Sequence, residues 1–369
     1  MSFRGWAGHD LSIDVRPARL HQLESHVDGL LGRALGPAFR FVDSYAGLGL
    51  GWRMSGMKIR SAFGIAGLAL VIAAGVVTPF PASRAAPRPL ARAPTRPARQ
   101  RIAFSCTRNR NTDIYERSAD GGIVRRLTTD KHMDGEPSWS PSRRALAFVS
   151  YRRDGNPDIW KMRANGSSVR DLTPRHGSQT NPSWSPDGTQ IVYASAGVSR
   201  GGLWIMDANG ANKHFVPHAA GGFDPSWSPD GRRIVFVTAA SGFDLFTIAP
   251  DGSSRRQITD NPSLTEDSAP VWSPRGSWIA FTQISGTRMK ATRSLATRSL
   301  DLYIIRPSGS HSRKVLDDRA YDSSPDWSPN ANRLVYEQDG KRDGLKILRL
   351  DTGRSHWFLR SPCYSPNWS

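Results

Sequence analysis

Helical periodicity, long apolar runs and cysteine are scarce or missing in this chain of 369 residues. No segment repeats its apolar residues with a helical period, which excludes a helix-rich fold. The one long apolar run, Ala62–Val77, is shorter than the roughly 20 residues that a membrane-spanning helix needs. Neither cysteine lies near that run, which argues against a lipid-anchored lipoprotein. The basic residues form no lysine block and no arginine stripe interleaved with aromatics, which argues against nucleic acid as a partner.

What the chain does contain is a repeat. The triplet Trp-Ser-Pro occurs five times, and the chain ends on a sixth Trp-Ser. Spacings between 41 and 55 residues are typical of β-propellers, in which each repeat forms one four-stranded blade. Because these tryptophans recur at one position that the fold must fill, we expect them to pack between blades and not to bind ligand. They are Trp139, Trp184, Trp227, Trp272, Trp327 and Trp368.

One repeat shows how four strands arise. The turn Pro186–Gly188 follows Trp184, because proline presets the first turn angle and glycine accepts a positive φ. Apolar runs at 191–194 and 203–206 then predict two strands, and an Asn-Gly turn leads to a fourth strand at 214–216. The first repeat lacks its inner strand, whereas residues 364–369 form an inner strand with nothing after it. We therefore predict an all-β, six-bladed β-propeller over residues 101–369, closed by the C-terminal strand joining the first blade.

The repeat motif carries a family resemblance. Pro182–Gly188 and Pro225–Gly231 both read Pro-Ser-Trp-Ser-Pro-Asp-Gly, and a later strand of a repeat begins Asp-Ile-Tyr or Asp-Leu-Phe. In this the chain resembles the TolB-type propeller repeats of bacterial exported proteins. The resemblance implies a propeller whose loop face and channel mouth bind extended partner segments. TolB also carries an α/β domain before its propeller, and none is visible here, so the resemblance implies no role in the Tol system.

The first hundred residues have a different composition. Residues 57–86 combine Lys58, Arg60 and the apolar run with the small residues Ala82–Ala86, which predicts a signal peptide cleaved after Ala85, or else a short anchor. Residues 1–56 are an unassigned leader or a mis-assigned start. Residues 87–100 alternate proline, alanine and arginine, which predicts an extended linker. We therefore expect an exported protein that is periplasmic, bound to the cell envelope or secreted.

The formal net charge is +18, and residues 101–369 supply 37 basic against 27 acidic residues. For an exported protein, attraction to an anionic envelope polymer or to lipid headgroups explains this excess better than nucleic acid does, while a solvated basic surface is the ordinary explanation and is preferred to both. Whether the two cysteines pair depends on how the ring closes. Cys106 ends the second strand of the first blade and Cys363 begins the returning strand, so they form either a disulfide or two free thiols, depending on register.

Two sets of polar residues recur at fixed distances before the tryptophans. His132, His176 and His218 lie in loops that lead into inner strands, so they are expected on one face of the disk. A second set lies five residues before the tryptophan and is expected at the channel mouth as part of a ring: Asp134, Asp267 and Asp322. Together the histidines would suit a transition metal, and the aspartates would suit Ca²⁺ or a basic or amide-rich peptide. The ordinary explanation is that the histidines lie in surface loops and the aspartates in turns.

No complete catalytic set is apparent. Gly197–Gly201 matches a serine-hydrolase nucleophile elbow, but it lies between two strands and no α/β region supplies the other groups. We therefore predict a monomeric, non-catalytic propeller without a cofactor that binds a protein or peptide partner in the cell envelope. The alternatives are a metal-dependent, lyase-like enzyme acting on polysaccharide at the channel mouth, and a sensor ectodomain on a membrane anchor.

Overall fold

The computed structural model describes residues 100–174, 177–197, 201–262, 264–288, 295–316, 320–339 and 343–369. The leader predicted at 1–56, the signal or anchor at 57–86 and the linker up to residue 99 lie outside the described residues. Among the described residues, no helix has the length and apolar character needed to cross a membrane.

The described strands form six antiparallel sheets of four strands each. In the first three blades the strands, from the centre outward, are β24 (Cys363–Trp368), β1 (Arg101–Arg108), β2 (Asn111–Ser118) and β3 (Arg125–Arg126); β4 (Asp134–Trp139), β5 (Ala145–Ser150), β6 (Asp158–Arg163) and β7 (Arg170–Asp171); and β8 (Ser178–Trp184), β9 (Gln190–Ala196), β10 (Gly202–Asp207) and β11 (His214–Ala220).

In the last three blades they are β12 (Gly222–Trp227), β13 (Ile234–Thr238), β14 (Asp244–Ile248) and β15 (Arg256–Gln257); β16 (Thr265–Trp272), β17 (Ile279–Arg288), β18 (Leu295–Ile305) and β19 (Arg313–Lys314); and β20 (Tyr321–Trp327), β21 (Arg333–Asp339), β22 (Gly344–Arg349) and β23 (Ser355–Arg360). A single 3-10 turn among the described residues, Ala239–Ser241, joins β13 to β14. The predicted all-β, six-bladed propeller is confirmed.

The C-terminal strand closes the ring. β24 pairs antiparallel with β1, and Ile102 lies opposite Trp368. At the other end of the pairing Cys106 lies opposite Cys363, and a disulfide joins them across 257 residues of sequence. Both cysteines are buried. The first blade is thus built from the two ends of the propeller sequence, as the repeat phase predicted.

The core consists of six apolar clusters, and each joins residues from two neighbouring blades. Trp184 of the third blade, for example, packs with Ala147 and Leu172 of the second. Its indole Nε1 also donates a hydrogen bond to the carbonyl oxygen of Ser138, at 3.1 Å. All six repeated tryptophans are buried in such clusters, which explains why the sequence repeats them.

The residues after each tryptophan build the hairpin between the first two strands of a blade. Ser185 Oγ donates to Asp187 Oδ1 at 2.6 Å and accepts from the backbone of Gln190 at 2.9 Å. Gly188 takes a φ of 72°, which a side chain would disfavour. The Ser-Pro-Asp-Gly motif is therefore a hydrogen-bonded turn and fixes where the inner strand ends.

Candidate functional site in the central channel

Every inner strand carries a β-bulge three residues before its tryptophan. The pairing register shifts there in all six blades. The residue at that position has a φ between 47° and 53°, which is uncommon for anything but glycine. We call these six residues the bulge ring: Glu136, Asn181, Asp224, Ala269, Ser324 and Ser365.

The bulge ring faces the central channel. Glu136 lies in the second blade, and its Oε2 accepts a hydrogen bond from the backbone of Asn181 in the third, at 2.6 Å. Its carboxylate is also close enough to Asp224, in the fourth blade, to be repelled by it. Blades that are not neighbours approach each other only around the central axis. These six residues are partly accessible, whereas the proline that follows each of them is buried, which fits a position on the channel lining.

The channel residues also connect neighbouring blades, at four of the six junctions. Asp224 Oδ2 accepts from the backbone of Ala269 at 2.9 Å, just as Glu136 does from the third blade. In the fifth and sixth blades, whose bulge residues are not acidic, a side chain of the second strand accepts the bond instead. Thr282 Oγ1 accepts from the backbone of Ser324 at 3.1 Å, and Glu337 accepts from that of Ser365. The acidic groups therefore have a structural role as well as a position in the channel.

Burial raises the pKa of the acids at the channel. Burial raises the pKa of Glu136 to about 7, and the charge of Asp224 adds to this against the hydrogen bond from Asn181. Burial likewise raises the pKa of Glu337 to about 7, with a contribution from Asp339. Burial also raises the pKa of Asp224. Because burial disfavours the charged form, a cation or a hydrogen-bond donor brought to these carboxyl groups would favour their ionised form.

A second set of contacts lies one residue before the tryptophans. Asp326 Oδ2 accepts from the backbone of Trp368 at 2.5 Å and from Nδ2 of Asn367 at 3.2 Å. Asn367 Oδ1 in turn accepts from the backbone of Trp139 at 2.7 Å. Burial raises the pKa of Asp326 to about 7. These bonds run from blade to blade on either side of the closing strand, so they hold the ring shut.

The three aspartates predicted at the channel mouth are at most 1% exposed. Arg152 Nη2 lies 2.6 Å from Asp134 Oδ2, and Gln338 Nε2 donates to Asp322 Oδ1 at 2.8 Å. Asp267 accepts from Thr259 at 2.7 Å, and also from Asn261 and Gln283. They share the predicted register, but each has side-chain partners from neighbouring strands and loops. Their role in binding a ligand stays a prediction.

The histidine set is only partly described. His132 Nδ1 lies 2.7 Å from Asp130 Oδ1, and His218 is exposed on β11 with a φ of 62°. His176 lies outside the described residues, as does Ser199 of the nucleophile-elbow match. Within the part of the chain that the structure describes, no three His, Cys, Asp or Glu side chains are grouped to hold a metal ion. The metal site therefore stays a prediction.

Sequence reasoning missed the acidic residues at the channel, which are Glu136 and Asp224 of the bulge ring and the buried Glu337 that is bonded to it. The only signal for the first two was their position, three residues before the tryptophan, since the six residues there share no chemistry. Nothing in the sequence marks Glu337, because its role depends on a strand from the next blade.

The fold is shared with solved propellers. TolB from Acinetobacter baumannii aligns with a TM-score of 0.60 at 18% identity, over 73% of this chain and 66% of that one. An oligogalacturonate lyase in complex with manganese aligns with a TM-score of 0.50 at 15% identity, over 70% of this chain and 74% of that one. At these identities, the likeness concerns the fold alone.

Sequence comparison gives the family. A Protein TolB homolog from Chlorobium luteolum is 28% identical over 150 residues, which are 31% of this chain and 34% of that protein. The chain thus matches about a third of the length of that relative. The profile of the TolB beta propeller domain matches residues 73–259 and 181–288, which together span more than half of the chain. The expected resemblance is confirmed, and the chain belongs to the TolB beta propeller domain family.

Proposed function

We propose that this chain is an exported, non-catalytic propeller that binds a protein or peptide partner in the cell envelope, with the central channel as its binding site. Membership of the TolB beta propeller domain family supports a propeller that acts through binding. The observation that carries the proposal is the placement of Glu136 and Asp224 in the channel of a chain whose net charge is +18.

The chemistry of the channel favours a particular kind of partner segment. Burial raises the pKa of Glu136 and of Asp224, the backbone hydrogen bonds from Asn181 and Ala269 oppose it, and no basic side chain is among the causes for either group. A cationic ligand in the channel would therefore be the first positive partner of these carboxyl groups and would favour their ionised form. A segment with lysine, arginine or free backbone N–H groups supplies the donors that the channel lacks, and enclosed surroundings strengthen each such bond.

The other two functions have less support. The manganese of the oligogalacturonate lyase belongs to that protein, and the described residues here bring no three metal ligands together. A metal enzyme requires stoichiometric metal in purified protein, lost when His132, His176 and His218 are changed to alanine. A sensor requires residues 57–86 to remain as an anchor. An anionic envelope polymer on the basic outer surface is compatible with the proposal, because that surface lies outside the channel.

Photo-crosslinking tests the channel directly. A photoreactive phenylalanine analogue in place of Ala269 lies in the channel, whereas the same analogue in place of the exposed Arg232 lies in a hairpin turn. Irradiation of cells that express the full chain should give a discrete adduct from the channel position and none from the turn. Mass spectrometry of the adduct identifies the partner.

A second experiment tests whether partner binding depends on the carboxylates of the channel. Combining Glu136→Gln with Asp224→Asn should lower the adduct yield about fivefold or more, since each change removes a charge-assisted contact. The matched control combines Asp230→Asn with Asp251→Asn, which removes two exposed turn carboxylates and should leave the yield unchanged. Equal adducts from both crosslinker positions, or an equal loss in the control, would contradict binding in the channel.

A further inference from the structure

A separate cavity lies on the first blade, away from the bulge ring. Its volume is about 390 Å³, which is within the range of small-ligand pockets. It is formed at the hairpin between β1 and β2 and along β2 toward β3, and its lining includes Arg108, Asn111, Asp113, Tyr115, Val124 and Arg126. We call it the rim pocket.

The hairpin fixes the geometry of the rim pocket. Its two turn residues, Asn109 and Arg110, have φ values of 51° and 64°, the conformation of the tightest two-residue hairpin. Arg108 and Asn111 are consequently paired directly across the strands. The Arg108 guanidinium carbon lies 4.8 Å from the centre of the Tyr115 ring. The cation is therefore held over an aromatic wall.

The charge of the rim pocket is not balanced. The buried Asp113 is neutralised by Arg126, whose Nη2 lies 2.6 Å from Asp113 Oδ2. Asn111 Nδ2 also donates to that oxygen, at 3.3 Å. Arg108 is exposed and has its aromatic contact but no ion pair with any described residue. One arginine is thus left to bind an anionic group, and a carboxylate matches the planar donors of a guanidinium.

The other side of the rim pocket is apolar. Val124 lines it, and the adjacent Ile123 is 91% exposed, one of two large hydrophobic residues exposed in the described part of the chain. A single exposed isoleucine is ordinary in itself. Its relevance here is that it is the chain neighbour of Val124 and adds a second aliphatic side chain at this end of the blade. A carboxylate flanked by aliphatic side chains fits this combination better than a uronic acid sugar, whose ring carries hydroxyl groups and no aliphatic side chain.

We propose that the rim pocket binds an acidic peptide segment, with a Glu or Asp carboxylate on Arg108 and a neighbouring aliphatic side chain against Val124 and Ile123. This site is additional to the channel and does not depend on it. It selects for acidic segments, whereas the channel selects for basic ones.

Two short peptides on the full chain test this. One has a central glutamate between two leucines, and the other has glutamine in its place. By surface plasmon resonance, the protein should bind the glutamate peptide about fivefold more tightly. Arg108→Gln should abolish that preference, while Arg110→Gln, next to it but outside the lining, should keep it. The preference should weaken as salt is raised, because the contact is exposed.

Each result decides something. Equal affinity for the two peptides, or a preference that survives Arg108→Gln, overturns the proposal. Binding of tri-galacturonate through Arg108 without binding of the glutamate peptide overturns the peptide assignment. If Arg108→Gln fails to fold, the preference of the unmodified protein still decides. Because the variant combining Glu136→Gln and Asp224→Asn should retain the preference, failure here is distinguishable from failure of the channel proposal.

Discussion

The disulfide between Cys106 and Cys363 should be the largest single contribution to the stability of the ring. It closes a loop of 257 residues, for which the chain-entropy relation gives about 5.5 kcal/mol. Measured disulfides usually deliver less than this relation predicts. We therefore expect the free energy of unfolding to fall by about 4 kcal/mol when the bond is absent.

The test is a double-mutant cycle on Cys106→Ala and Cys363→Ala. Either single change removes the whole bond, so each should cost about as much as the other, and the double variant should cost little more than either. Guanidinium chloride unfolding followed by tryptophan fluorescence provides the readout, because the six repeated tryptophans are buried between blades. The native protein should also resist reductants, since both cysteines are buried.

Two results would refute this reasoning. Additive losses, with the double variant losing about twice as much as a single one, would show that the two side chains act independently. A double variant within about 1 kcal/mol of the unmodified protein would show that the closing strand is held by β-sheet hydrogen bonds and apolar packing alone, so the covalent link contributes little. Adding reductant to the double variant should change nothing in either case.

Three further predictions follow from the same geometry. Burial raises the pKa of Glu337 in the folded protein to about 7 from an ordinary 4.5, so its contribution to stability is complete below pH 4.5 and is lost as pH rises through 7. The free energy of unfolding should therefore fall between pH 5 and pH 8, and Glu337→Gln should make that fall smaller by about 2 kcal/mol. Gly166→Ala should lower the free energy of unfolding by about 2 kcal/mol more than Gly353→Ala in the same denaturation assay. Both glycines have a positive φ, but of the two only Gly166 is crowded: a Cβ atom there would lie 2.5 Å from the backbone oxygen of Leu127. N-terminal sequencing of the exported protein should give Ala86 as its first residue, because cleavage is predicted after Ala85. An unprocessed N-terminus would support the anchor instead.

The repeat unit and its closure could be predicted from sequence because both depend on local signals. A turn motif, an apolar run and a second turn recur in phase, and the strands expected at 191–194 and 203–206 lie within Gln190–Ala196 and Gly202–Asp207. The bulge could not be predicted in this way. Its six residues differ in charge, size and polarity, and they have no common preference for positive φ.

The bulge also explains why the aspartates are buried. In a regular strand, a residue five positions before the tryptophan points to the opposite face of the sheet. A bulge inserts one extra residue, so Asp267 and Trp272 return to the same face. That face meets the preceding blade, and there Asp267 accepts its bond from Thr259. Counting along the sequence thus gives the register of the aspartates but not the face of the strand on which they lie, and their role in binding a ligand stays a prediction.

Ring closure and the channel depend on the same strand. β24 supplies Cys363 of the disulfide and Trp368, which packs in the cluster between the sixth and first blades. Between them lies Ser365 of the bulge ring, whose backbone N–H donates a hydrogen bond to Glu337. Loss of closure therefore removes one of the six walls of the channel and releases Glu337 to solvent. If the partner binds in the channel, reduction of the disulfide under mildly destabilising conditions should abolish crosslinking before the remaining blades unfold. A rim pocket built on β1, β2 and β3 should respond in the same way, because that sheet loses its inner strand at the same step.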